Sequence, residues 1–180
     1  MKYIITTDTH FGHAMLTGHG YRAAGFEEKI LKNLKSISDK ENTVLIHLGD
    51  FCIGEDTYWN KRFMEVTKDF KQRILVRGNH DNKSYNWYYE HGWNFVCETM
   101  RMRVNKKEIL FSHMPILGEN SHTSPYLKVH KNIHGHLHGN GDYSHRAVEG
   151  YDAGFHYDCA VDTHDMKPIY LKEIMNKRHE

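Results

Sequence analysis

Five short stretches carry side chains that ligate metals or move protons: Asp8-Thr9-His10, Gly49-Asp50, Gly78-Asn79-His80-Asp81, Ser112-His113 and Gly135-His136-Leu137-His138. Each stands where an apolar run ends, as Gly78 does after Arg73-Ile74-Leu75-Val76-Arg77. Asparagine, histidine and aspartate in a row offer an amide oxygen ligand, an acid–base group and a carboxylate to orient it. The combined donor set is nitrogen and oxygen without thiolate. That suits Mn, Fe, Zn or Ni in a catalytic centre better than a closed structural zinc site. Two ions about 3.5–4 Å apart can share one carboxylate and serve in-line displacement at phosphorus. Asp50, in the middle of the series, is the natural bridge.

Spacing supports the same reading. Asp8 and His10 are two apart, so in an extended strand their side chains share one face while Thr9 points away, and His136 and His138 repeat that geometry. One such pair has an ordinary explanation, since an aspartate at a strand end is often a turn or cap residue. Five stretches in alternation with strands are not explained that way.

The elements that must position these residues follow from apolar periodicity. Residues 3–7, 43–48 and 73–77 are built around short β-branched or apolar runs and predict buried strands. Phe26, Ile30, Leu31, Leu34 and Ile37 recur at helical spacing, as do Trp59, Phe63 and Val66. Residues 84–91 predict an aromatic helix, and 95–97 and 100–104 further strands. Asn105-Lys106-Lys107 predicts a turn into a strand that ends at Ser112. Residues 132–134 run into Gly135, residues 157–161 predict a last strand, and Leu171, Ile174 and Met175 a short helix after Pro168. The stretches 115–129 and 139–154 read as surface loops. Strand–helix–strand alternation favours a largely parallel sheet, with the hairpin adding antiparallel strands. Ligands of open α/β sheets bind outside the carboxyl ends of the strands, where all five stretches fall.

Composition sets outer bounds. The 180 residues, with no repeat, linker or low-complexity tract, predict a single domain over 1–180. A net charge of +1 argues against a protein held on nucleic acid by a basic field, without excluding a nuclease. Three cysteines without metal-site spacing suggest a reducing compartment, and no run reaches the ~20 apolar residues of a membrane span. The expected location is cytoplasmic. The 16 histidines are spread along the chain rather than gathered in a tag.

The five stretches, in this order from residue 8 to residue 138, resemble the signature of the calcineurin-like metallophosphoesterases. The resemblance implies an α/β fold of two packed mixed β-sheets flanked by helices, a four-layer α/β/β/α sandwich whose strand ends carry a dinuclear metal site. It implies that Asp8, His10 and His138 bind one divalent ion and Asn79, His113 and His136 the other, with Asp50 bridging. Mn2+ is favoured, and Fe, Zn or Ni are alternatives. It further implies catalysis by His80, oriented and kept cationic by Asp81, with attack of a metal-bridging hydroxide on the phosphorus of a phosphodiester or small phosphate ester. The run Gly49-Asp50-Phe51-Cys52-Ile53-Gly54 lacks the second Asp and the Arg of the Ser/Thr protein phosphatases of this family, which counts against that class. Ser112 stands where glycine is commoner, a small-for-small change. The length leaves no room for a cap domain, which fits a small phosphate ester or a nucleotide as substrate.

Alternatives stay open at this point. The same chemistry could serve a small metal-dependent nuclease or a nucleotide phosphatase, and a metal-binding interaction module is the non-enzymatic reading. Such a module should have lost a ligand or the second-sphere histidine, and none is missing. Oligomeric state is not legible. Among further candidates, His13 either touches substrate or enters a helix, and Arg77 either meets phosphate or pairs with a carboxylate. Cys52 is expected to be a packed, inert thiol. Trp87 belongs either to a base-stacking surface or to the core. His122, Lys128, His145 and Arg146 lie in loops expected to rim the site.

Overall fold

The computed structural model describes residues 1–117, 129–139 and 150–176. Two mixed sheets pack face to face and are flanked by helices. The first has the order β4-β3-β2-β1-β9, built from β1 (Lys2–Thr6), β2 (Thr43–His47), β3 (Gln72–Val76), β4 (Phe95–Cys97) and β9 (Ile169–Tyr170). Its first four strands are parallel and β9 runs antiparallel to β1. The second, β5-β6-β7-β8, is built from β5 (Thr99–Val104), β6 (Lys107–Ser112), β7 (Val129–His134) and β8 (His156–Asp158). Here β5 and β6 are antiparallel, while β6, β7 and β8 are parallel.

Parallel strands need crossovers, and α2 (Phe26–Lys35), α3 (Asp56–Thr67) and α4 (Tyr85–Glu90) stand between β1 and β2, β2 and β3, and β3 and β4. Helix α2 buries Phe26, Ile30, Leu31 and Leu34 along one stripe. Glu27 and Glu28 in its first turn and Lys32 and Lys35 in its last complement the helix dipole. The Ser84 side chain caps α4 by accepting from the Trp87 N–H. The β5–β6 hairpin closes through Asn105 and Lys106, both at positive φ (50° and 65°), the backbone that a two-residue hairpin turn requires.

The strands of the first sheet are apolar almost throughout because both faces are covered. Ile4, Leu45 and Leu75 face the helices, in a cluster with Phe26, Ile30, Leu34 and Phe63. Ile5, Val44, Ile46 and Val76 face the other way and meet Ile109, Phe111 and Ile133 of the second sheet. Fully burying one such side chain stabilises the fold by about 1.5–3 kcal/mol.

Two expectations need correction. The strand predicted over 157–161 spans His156–Asp158, and Val161–His164 is a 3-10 turn. Nor is it the last strand, because β9 adds to the edge of β1. Two residues are too few for a period-2 pattern, so β9 leaves no signal in the sequence. Likewise α1 (Ala14–Gly18) buries no residue and has no apolar stripe to betray it. The predicted helix after Pro168 is α5 (Leu171–Asn176). No described helix is long and apolar enough to cross a membrane.

Candidate metal centre

The site forms beyond the carboxyl ends of β1, β2 and β3 of one sheet and β6 and β7 of the other. Strand pairing continues into the loops. The Asp8, His10 and Phe11 amides donate to the carbonyls of Gly49, Asp50 and Phe51, each at 2.9 Å. Across the second sheet, the Gly135 amide donates to the His113 carbonyl at 2.8 Å. The two loop pairs meet where the His136 amide donates to both Asp8 oxygens, at 3.1 and 3.0 Å.

Side-chain convergence at this point does not arise from strand pleating, as the i, i+2 spacing had suggested. Asp8 (φ 54°), His10 (46°), Asp50 (51°), His136 (70°) and His138 (55°) all hold left-handed backbone. Such conformations cost on the order of 1–3 kcal/mol each and persist only where the surroundings fix them. The residue after each of two candidate ligands supplies part of that fixation. Phe11, after His10, stacks on Trp59 with ring centroids at 5.5 Å. Phe51, after Asp50, packs edge-on against Phe63 and Trp93 at 5.0 and 5.3 Å. Aromatic pairs of this kind contribute about 0.5–1.5 kcal/mol beyond their buried area.

Below the loops, Thr9 and His47 close a second support. The Thr9 hydroxyl donates to the Phe51 carbonyl at 2.8 Å, so its oxygen accepts from His47 Nε2–H at 2.9 Å. His47 Nδ1 then accepts from the Gly49 amide at 3.1 Å. Both nitrogens of a neutral imidazole are used, and burial holds the His47 pKa down at about 3.

The structure brings the seven predicted ligands into two adjoining groups. Atoms of Asp8, His10 and His138 lie within 4.8 Å of one another, as do atoms of Asp50, His113 and His136. In the first, His10 Nε2 and His138 Nε2 are 3.2 Å apart, and Asp8 Oδ1 is 3.9 and 3.6 Å from them. In the second, His113 Nε2 faces Asn79 Oδ1 at 3.0 Å, His136 Nδ1 at 3.2 Å and Asp50 Oδ2 at 3.3 Å. Asp50 Oδ2 also lies 3.6 Å from His10 Nε2, between the groups. Its Oδ1 accepts the His80 amide at 2.9 Å.

Electrostatics shows how well this donor set fits divalent cations. Burial pushes the Asp8 carboxyl up to about 6. Burial also opposes ionisation of Asp50, but the His113 hydrogen bond and charge outweigh it and hold the group below the usual carboxylate range. Burial lowers the His113 pKa, yet its hydrogen bond to Asp50 and the charges of Asp8 and Asp50 raise it to about 9. Burial keeps His10 neutral, and its Nδ1 is buried without a hydrogen-bond partner. Two buried carboxylates therefore face converging imidazole nitrogens, with a proton on His113 as their counter-charge. A divalent ion would replace that proton with better charge compensation.

His80 sits at the open edge. Its side chain is 49% exposed, and Nε2 lies 3.9 Å from Asp50 Oδ2. Asp81 is placed differently from expectation. Its Oδ2 accepts the amides of Asp50 and Gly78 at 2.9 and 2.8 Å, and its Oδ1 that of Phe51 at 3.0 Å. A carboxylate committed to three backbone N–H groups anchors the Asp50 loop to the Gly78 loop rather than orienting the His80 ring. Burial raises its pKa to about 6 against those bonds.

The weaker candidates separate cleanly. The His13 ring lies 5.6 Å from that of His10. Arg77 donates to the Asp81 carbonyl and pairs with Glu98 at 2.9 Å, which makes it structural. Cys52 is buried, and burial drives its thiol pKa far up, in keeping with an inert role. Trp87 packs against the helix-side core, stacked on His91 at 4.0 Å. His122, Lys128, His145 and Arg146 lie outside the described residues.

Two residues were not singled out by the sequence. Arg22 and Asp162 stand directly behind His138, whose Nδ1 is 2.9 Å from Asp162 Oδ2. Asp162 had a signal, because it too ends an apolar run, Cys159-Ala160-Val161. Arg22, in a polar loop, had none.

Comparison with known proteins places the chain among relatives. Residues 1–151 match the calcineurin-like phosphoesterase family. No curated protein matches its sequence. Among solved structures, a protein of unknown function from Aquifex aeolicus is 26% identical, with 97% of each chain covered and a TM-score of 0.73. An archaeal phosphodiesterase is 18% identical over 95% of this chain and 99% of that one, with a TM-score of 0.52. A Pseudomonas putida nuclease is 21% identical over 76% of this chain and 61% of that one, at 0.50.

Proposed function

This chain belongs to the calcineurin-like phosphoesterase family, whose members are metal-dependent phosphoester hydrolases, and from that premise we propose that it hydrolyses a phosphodiester at a centre of two divalent ions. The observation that carries this reading is the position of Asp50 Oδ2, 3.3 Å from His113 Nε2 and 3.6 Å from His10 Nε2. One carboxylate oxygen is thus shared between two groups of ligands. Asp8, His10 and His138 would hold one ion, and Asn79, His113 and His136 the other, with Asp50 common to both. A donor set of imidazole, carboxylate and amide oxygen without thiolate favours Mn2+, with Fe, Zn and Ni as further candidates.

When bound, the ions supply Lewis acidity, which ionises water near neutral pH and offsets charge on the phosphoryl oxygens. The rest of the mechanism belongs to the chain. The left-handed turns at residues 8, 10, 50, 136 and 138 hold the ligand atoms in place before substrate arrives, so little reorganisation accompanies reaction. His80 Nε2, beside Asp50 and open to solvent, is where a proton passes to the departing ester oxygen. Asp81 ties the Gly78 loop to the Asp50 loop through the amides of Gly78, Asp50 and Phe51, and Asp50 Oδ1 in turn accepts the His80 amide.

The accessible edge at His80 and the fold shared with the archaeal phosphodiesterase support a diester as substrate. The three free cysteines support a reducing, cytoplasmic setting. The apolar cluster joining both sheets supports a single domain over 1–180.

The test compares an aryl phosphodiester with the matching monoester on metal-stripped protein reloaded with Mn2+, Zn2+, Ni2+ or Mg2+, with Asp50→Asn as control. Metal-dependent diester turnover that is absent in the control is expected. Failure to turn over either ester with two ions bound would overturn the reading in favour of a binding module. Preference for single-stranded nucleic acid, with a steep salt dependence, would move it to a nuclease.

A further inference from the structure

We propose that Arg22 and Asp162 form a charged clamp that positions one half of the metal centre, that of Asp8, His10 and His138, and leaves the other half untouched. The inference rests on the two-ion reading above.

Arg22 is buried, its side chain 1% exposed, and every nitrogen of its guanidinium is engaged. Nε and one terminal nitrogen donate to the two oxygens of Asp162, at 2.7 and 2.6 Å. That same terminal nitrogen donates to the Asp8 carbonyl at 2.7 Å, and the other donates to the Thr9 carbonyl at 2.9 Å. One planar, rigid group thus grips the backbone of the first ligand turn and a carboxylate from the far end of the chain.

Asp162 transmits the grip. Its Oδ2 lies 2.9 Å from His138 Nδ1, and it accepts the ring N–H there. With the proton fixed on Nδ1, the lone pair is on Nε2, the nitrogen facing Asp8 and His10. A carboxylate behind a ligating imidazole both selects the tautomer and fixes the ring plane. Because Arg22 neutralises Asp162, the clamp orients without adding net negative charge to a buried region.

The second half has no counterpart among the described residues. His113 Nδ1 donates to the Leu48 carbonyl at 2.9 Å, a backbone support that requires no particular side chain. Asp162 also lies beyond residues 1–151, so a residue outside the family match completes a site within it.

The test is titration of metal-stripped protein with Mn2+ by calorimetry and electron paramagnetic resonance, which separates a coupled pair from a lone ion. Asp162→Asn keeps the size of the side chain but removes the charge that both Arg22 and His138 use. It should weaken one Mn2+ site by about 10- to 100-fold and leave the other unchanged. Arg22→Lys keeps a cation but cannot span Asp162 and two carbonyls, and should weaken the same site. It serves as the second variant should Asp162→Asn fail to fold. Asp165→Asn, at an exposed residue paired only with surface lysines, should bind as wild type. Equal weakening of both sites, or no weakening of either, overturns the clamp. A wild-type chain that binds fewer than two ions removes the two-ion reading and the clamp with it.

Discussion

A methyl group at residue 135 would land inside the site. An ideal Cβ on Gly135 lies 2.2 Å from Asp8 Oδ2, 2.3 Å from Thr7 Oγ1 and 2.7 Å from Thr7 Cγ2. Ordinary contact begins at 3.4 Å, so Gly135→Ala must separate the two loops by roughly 1 Å. Neither neighbour can swing away, because Thr7 and Asp8 are buried and Asp8 is held by the His136 amide through both oxygens. Overpacking of this kind costs about 1–3 kcal/mol, which leaves a typical domain folded. A displacement of about 1 Å at a reacting centre lowers rate by about 100-fold. Gly135→Ala is therefore expected to be folded by urea denaturation and circular dichroism, with about 100-fold lower kcat/KM on an aryl phosphodiester. Its Mn2+ affinity should fall at the half-site that includes Asp8. Gly18→Ala in α1 is the control, since nothing lies within 4 Å of its Cβ. Wild-type kcat/KM together with wild-type Mn2+ binding in Gly135→Ala would refute the claim that close approach of the two sheets' loops sets the metal geometry.

Three further outcomes are expected. His80→Ala should keep both ions by elemental analysis yet lose about 10²- to 10⁴-fold in kcat, and loss of metal would show that the residue has another role. Burial depresses the His47 pKa from 6.5 in the unfolded chain to about 3 in the fold, so the unfolded state binds the extra proton between those values. Stability from this group is present above pH 6.5 and is lost progressively as pH drops toward 3. His47→Gln should flatten the acid side of a urea-stability profile, and parallel profiles would contradict the assignment. Phe63→Ala, at a fully buried ring stacked on Trp93 and edge-on to Phe51, should cost about 3–5 kcal/mol by chemical denaturation. A loss under 1 kcal/mol would mean that the site repacks freely.

Sequence and structure agree best where the pattern is local. Short apolar runs gave β1, β2 and β3 because a strand covered on both faces keeps few polar positions along its middle. The stripe of Phe26, Ile30, Leu31 and Leu34 gave α2 because one helical face meets the sheet. Ligand types at the ends of such runs pointed to Asp8, His10, Asp50, Asn79, His80, His113, His136 and His138, which the structure gathers in one place. Asp81 was read as the carboxylate that orients His80, and its commitment to backbone amides was not legible, since two of the three come from Asp50 and Phe51, some 30 residues earlier.

What the sequence determined, then, was the inventory of donors and the strands that deliver them, because residue type and periodicity are properties of neighbours along the chain. Tertiary structure alone decided how the donors face one another. The left-handed turns at five candidate ligand residues are held by pairing between loops of different strands and by aromatic packing behind Phe11 and Phe51. The Arg22–Asp162 contact closes across 140 residues of sequence. Interactions of that span leave no periodicity, and only the folded chain brings their partners within hydrogen-bonding reach.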